Sequence, residues 1–130
     1  MMKKIVRTDK APKPVGAYNQ AIISGGFVFT AGQIAMDPQT GQVIDDDVKA
    51  QTRLVLKNLS AVLDAAGSGL QHVVKTLVFL NDMNDFPMMN EVYGEFFSEN
   101  SPARSAVEVS RLPRDVLVEI ECVAELAGSE

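Results

Sequence analysis

The stretch SPARSAVEVSRLPRDVLVEIE, residues 101–121, decides how the C-terminal third of the chain folds. In RSAVEVS, Ser105, Val107 and Val109 fall on one face of an extended strand, and Arg104, Ala106 and Glu108 on the other. In VLVEIECVA, Val118, Ile120 and Cys122 share a face, with Glu119 and Glu121 opposite. RLPRD, between the two runs, carries a proline turn signal. If the two strands pair as a hairpin, burial of both apolar faces sets the parity of their register. Arg104, Glu108, Glu119 and Glu121 then occupy one non-core face.

Upstream, HVVKTLVFLND is β-branched and apolar on both faces, the pattern of a central, covered strand. A helix is signalled by Asp85 and Pro87, and its stripe is Phe86, Met89, Val92, Tyr93, Phe96 and Phe97. Such a stripe of aromatic residues and methionine reads as core. A longer helix follows the acids Asp45, Asp46 and Asp47, which suit a helix N-terminus. Val48, Val55, Leu56, Leu59, Val62, Leu63 and Ala66 keep helical spacing until Gly67 and Gly69 supply the stop. In QAIISGGFVFTAGQI, Gly25 and Gly26 separate two apolar runs and signal a hairpin. DKAPKPV, residues 9–15, reads as an extended lead-in. The order is β-β-α-β-α-β-β, with one more short strand at Ile5 and Val6. This predicts a single α+β domain over residues 1–130, a mixed sheet with two helices packed on one face. A sheet face without helices invites association with further copies, so an oligomer is expected.

Bulk composition narrows the function classes. With 130 residues, 46% hydrophobic and 22% charged, the chain suits one globular core. A net charge of -5 disfavours phosphate backbones, and nucleic acid is not an expected partner. The short basic cluster of Lys3, Lys4 and Arg7 reads as a solvated terminus. No apolar run reaches the length of a membrane span, and the first residues lack the apolar stretch of a secretory signal. A cytoplasmic location is the expectation.

Most familiar catalytic sets fail on this sequence. Cys122, the single cysteine, cannot form an internal disulfide and falls on an apolar strand face, where a thiol is inert packing. His72 is the only histidine and sits at an element end. No cluster has metal-ligand spacing, and Gly16, Gly25, Gly26 and Gly32 form no phosphate loop. What remains is Arg104, whose planar guanidinium can clasp a carboxylate through two parallel hydrogen bonds. The competing reading of Arg104 is an ordinary surface ion pair with Glu108 or Glu121.

Four ordered blocks carry a resemblance to a known family: GAYNQA, FTAGQIAMDPQTG, VVKTLVFLNDMNDFPMMNEVYGEFF and SPARSAVEVSRLPRDVLVEIE. Together they span nearly the whole chain, and on them it resembles the Rid/YjgF family of 2-iminoacid deaminases. The resemblance implies a chorismate-mutase-like α+β fold and a homotrimer with clefts between subunits. It implies hydrolysis of reactive imino and enamine acids, such as 2-aminoacrylate, to 2-oxoacids and ammonia, without metal or cofactor. By position, Arg104 matches the arginine that grips the substrate carboxylate, and Glu119 the residue that positions or activates water. Tyr18 and Asn90 match cleft-lining residues, and Gly32 offers backbone contacts beside the substrate.

The chain departs from the family pattern at several positions. Ala31 stands where serine is frequent, Ala106 where cysteine is frequent, and Ser101 where an aromatic residue commonly precedes P-A-R-S. Ala17 and Ala21 replace the usual proline and glycine of the first block. These changes bear on substrate range and rate. A non-catalytic trimer that binds small carboxylates as a regulator or chaperone is the alternative. RNA cleavage, attached to some relatives, is disfavoured by the acidic charge and the lack of a second histidine.

Overall fold

The computed structural model describes residues 2–128. Its elements in chain order are β1 (Lys4–Val6), β2 (Ala21–Ser24), β3 (Phe27–Thr30), α1 (Val48–Ala65), β4 (Val73–Leu80), α2 (Phe86–Phe96), β5 (Ala103–Glu108) and β6 (Val118–Glu125). The strands form one mixed sheet in the order β1-β2-β3-β6-β4-β5. Every neighbouring pair is antiparallel except β4 and β5, which run parallel. Both helices lie on one face, giving the expected two-layer α+β architecture. The core joins Val55, Leu56, Leu59, Val62 and Leu63 of α1 to Val28, Val78, Ile120 and Ala124 of the sheet. Their removal from water is the main force holding the layers together.

Local signals act as their chemistry requires. Asp47 caps α1, its side chain accepting the Ala50 N–H at 2.9 Å. At the other end Gly67 turns left-handed at φ 82°, and the N–H of Ser68 reaches back to the Leu63 carbonyl at 2.9 Å. That closure satisfies carbonyls the helix would otherwise leave bare. Gly25 and Gly26, at φ 61° and 85°, make the two-residue β2–β3 turn. Positive φ at both positions matches the twist of the flanking strands. Asp47→Ala is expected to lower the free energy of unfolding by about 1 kcal/mol, read from urea denaturation with an unchanged m-value.

The C-terminal hairpin expected from residues 101–121 does not form. β4 lies between its two strands, pairing with β5 in the register Thr76–Arg104 and with β6 in the register Thr76–Cys122. Arg104 therefore shares the helix-covered face with Thr76 and Cys122. Glu119 and Glu121 pair with Phe79 and Leu77 and lie on the opposite face. The expected common face of Arg104, Glu119 and Glu121 is thus corrected. The reason is that β4 has two free edges and each flanking strand takes one. Residues 109–117 are long enough to cross over, and their RLPRD segment forms a 3-10 turn (Pro113–Asp115) instead of a tight hairpin.

β4 also differs from a strand covered on both sides. Its Thr76, Val78 and Leu80 are buried under the helices, while Leu77 and Phe79 on the other side are only half-buried. Among the described residues no helix covers that second face. It exposes Ile5, Phe29 and Val107 at 53%, 46% and 43%.

Candidate active site

Residues 30–33 shape the hollow of the site by interrupting their pairing with β6 for one step, while the Ala31 N–H still donates to the Gln20 carbonyl at 2.9 Å. Thr30 Oγ1, not a backbone carbonyl, accepts the Cys122 N–H at 3.0 Å. Gln33 then rejoins β6 through reciprocal backbone bonds with Ile120 of 2.9 and 3.2 Å. Between these two anchors the Glu119 side chain lies against Gly32, in the space a side chain at that position would take. A Cβ added at Gly32 would sit 2.8 Å from Glu119 Cδ and 3.0 Å from Cγ. Only glycine leaves room for the carboxylate where it lies. Gly32→Ala is expected to displace that carboxylate and, if Glu119 serves the chemistry proposed below, to lower turnover on the order of 10–10²-fold. Steady-state kinetics measures this, and thermal melting should be little changed.

Tyr18, Gly32 and Glu119 line one cavity of about 510 Å3, together with Pro12, Lys13 and Arg114. Glu119 is half-buried and has no hydrogen-bond or ion-pair partner among the described residues. Burial pushes its carboxyl above the usual range, and the neighbouring Glu121 charge adds to the rise. The front wall, residues 8–18, is held by the side chain of Gln20, which is 2% exposed. Its Oε1 accepts the Thr8 N–H at 2.8 Å, and its Nε2 donates to the carbonyls of Thr8, Ala11 and Pro12 at 3.0, 3.3 and 2.9 Å. The Tyr18 hydroxyl accepts the Val15 N–H at 3.3 Å.

Arg104 and Asn90 form a second group on the helix-covered side of the sheet. The guanidinium Nη1 donates to Asn90 Oδ1 at 2.7 Å. Its Cζ lies 4.7 Å from the Tyr93 ring centroid and 5.2 Å from that of Phe86. The surface ion pair considered for Arg104 is absent. Glu108 instead accepts the Met83 N–H at 2.8 Å, and Glu121 faces the other way. The described ion pairs are Lys49–Glu91, Arg53–Glu95 and Arg111–Asp115.

The five residues singled out in the sequence thus fall into two groups. Register places Arg104 two strands and three residues from Glu119, a Cα separation of roughly 14 Å at ordinary strand spacings. The two side chains lie on opposite faces. Sequence reasoning missed Lys13, Gln20 and Arg114 in the cavity wall. For Arg114 a signal lay in RLPRD, whose turn puts Arg114 and Asp115 at φ 59° and 56°. Cys122 is 4% exposed, and burial pushes its thiol up to about 11, so at neutral pH it stays protonated. No group of metal-binding side chains occurs among the described residues.

The α+β sheet with two helices on one side sets the fold class, and comparison with known proteins agrees on that fold. The chain belongs to the family described as endoribonuclease L-PSP, the Rid/YjgF family, which matches residues 8–126. It is 58% identical over 123 residues to a RutC family protein of Pyrococcus horikoshii, covering 95% of this chain and 98% of the other. An Escherichia coli relative with the provisional name reactive intermediate deaminase TdcF is 48% identical over 126 residues, covering 95% and 97%. The crystal structure of E. coli TdcF with bound serine superposes with a TM-score of 0.91 at 45% identity, over 95% of this chain and 99% of that one.

Proposed function

We propose that this protein is a 2-iminoacid deaminase that hydrolyses imino and enamine acids such as 2-aminoacrylate to 2-oxoacids and ammonia. The observation that carries the reading is the pairing of an arginine free of any acid partner with a glutamate whose carboxyl is raised by burial. Arg104 clasps the substrate carboxylate, helped by Asn90. Tyr18 and the Gly32 backbone line the other end, where Glu119 accepts a proton from the attacking water. An imine carbon is already electrophilic, so orientation and a placed water suffice. An enamine first tautomerises to the imine, its β-carbon taking a proton from solvent as the nitrogen gives one up. Water then adds to the imine carbon, the nitrogen takes up a proton, and the tetrahedral adduct expels ammonia to leave the 2-oxoacid. The bound serine of the TdcF structure supports a site scaled to a small amino-acid-like carboxylate.

One copy holds Arg104 and Glu119 too far apart to act on one small acid. We infer that the working unit is a homotrimer in which each site joins the Arg104 group of one subunit to the Glu119 cavity of the next. The uncovered apolar sheet face supports this, since a patch containing Ile5, Phe29 and Val107 gains by burial against copies. Adding the protein to a threonine dehydratase acting on serine tests the activity. Pyruvate is expected to appear faster than without it, and an unchanged rate rejects the proposal. Tight 2-oxobutyrate binding with no acceleration would instead favour the carboxylate-binding regulator.

A further inference from the structure

The stripe of α2 that reads as core contains a second function. Phe86, Asn90 and Tyr93 lie at i, i+4 and i+7, which puts them on one helix face. All three touch Arg104: Asn90 by a hydrogen bond, and the two rings by their faces at 5.2 and 4.7 Å from Cζ. These distances fall within the range in which a ring quadrupole attracts a cation. The Tyr93 ring is itself fixed from both ends. Its hydroxyl lies 2.7 Å from Oγ1 of the buried Thr76, the β4 residue paired with Arg104. Its other flank packs on Phe97, with ring centroids 4.7 Å apart.

We propose that Phe86 and Tyr93 are positioning residues, forming an aromatic platform that aims the Arg104 guanidinium without neutralising it. A carboxylate could hold an arginine equally well, but it would occupy the fork and cancel the charge that a substrate must find. Ring faces attract the cation while taking none of its N–H donors. Among the described residues only one N–H is committed, to the neutral Asn90 amide. The nearest acid along the strand, Glu108, is turned aside by its bond to the Met83 N–H. The guanidinium therefore keeps its plane fixed and its remaining donors available for an incoming carboxylate.

The inference rests on Arg104 being the carboxylate anchor, so Arg104→Ala is the reference variant. Full-length wild type, Arg104→Ala, Tyr93→Leu, Tyr93→Phe and Phe86→Leu are titrated with 2-oxobutyrate by calorimetry and assayed for kcat and KM. Tyr93→Leu and Phe86→Leu are expected to weaken 2-oxobutyrate about tenfold and raise KM alike, with kcat within about twofold of wild type. Tyr93→Phe, which keeps the ring, should stay within about threefold in affinity. Equal loss in Tyr93→Phe and Tyr93→Leu would assign the effect to the hydroxyl tether and overturn the platform, as would a fall in kcat at unchanged affinity. Tyr93 is buried, so if Tyr93→Leu does not fold, the half-buried Phe86 decides: unchanged affinity in Phe86→Leu rejects the inference. If Arg104→Ala itself binds normally, the functional reading fails. If it loses binding while both leucine variants keep theirs, only the platform fails.

Discussion

Arg104→Ala is expected to lower kcat/KM for imine hydrolysis on the order of 10²–10³-fold and to remove measurable 2-oxobutyrate binding. The magnitude follows from losing two charge-assisted hydrogen bonds of about 1.5–3 kcal/mol each, partly offset by water entering the vacated space. Arg104 is held in place on its side of the sheet by Asn90 and two rings, while the α1 cations Lys49 and Arg53 are already paired with Glu91 and Glu95. Because Arg104 makes no ion pair, its removal strands no buried acid, and the fold should tolerate the change. Arg104→Lys keeps the charge but not the planar fork, so an intermediate activity is expected. Steady-state kinetics and calorimetry read both variants, with circular dichroism as the control for folding. Normal affinity in Arg104→Ala would remove the residue from the site.

Glu119→Gln is expected to reduce kcat about 10²–10³-fold, the usual worth of a placed base, while 2-oxobutyrate still binds. The pH dependence follows from the direction of the Glu119 shift. Burial, then the Glu121 charge, raises the carboxyl, and only the ionised form can take a proton from water. Activity should therefore fall as pH drops through the raised value, on the neutral side of an ordinary glutamate. Stability runs the other way. Between the ordinary and the raised value the folded state binds more protons than the unfolded chain, so folding weakens as pH climbs through that window. Above it Glu119 remains an uncompensated charge, and Glu119→Gln should melt slightly higher than wild type at neutral pH. A pH–kcat profile and paired melting curves measure the two effects. A glutamine variant with full turnover would exclude Glu119 as the base.

Elements with a strong local period were legible from the sequence. The apolar positions expected from Val48 through α1 to Ala66 just past its end are all buried, because helical spacing alone decides which side chains meet the sheet. The Gly25–Gly26 turn, the acidic run of Asp45, Asp46 and Asp47 before α1 and the short strand at Ile5 and Val6 were equally local. The face of Arg104 was not. Its parity depends on which strand lies beside β5, and that choice belongs to β4, about thirty residues earlier in the chain. Tyr18, Gly32 and Glu119 were singled out through resemblance, and they do line one cavity. Their meeting depends on the departure of residues 30–33 from the ladder, which no periodicity announces. Reading Tyr93 and Phe86 as core was incomplete for a similar reason. A helix stripe records what is shielded from water and says nothing of the cation that β5 lays across it.

Gln20 has a consequence for how the molecule loses function on warming. One carboxamide fastens the whole segment from Thr8 to Pro12, and that segment carries the wall bearing Lys13, Val15 and Tyr18. The sheet behind it is cemented by its continuous ladder and an aliphatic interior, whereas this panel is tied down by one polar clasp and the buried Ala11 and Pro12, with Lys13 to Tyr18 mostly exposed beyond them. Such regions open with a smaller free energy than the body they cover. Heat or dilute denaturant should thus loosen the cavity wall while the scaffold stays whole, so that loss of the proposed activity precedes melting.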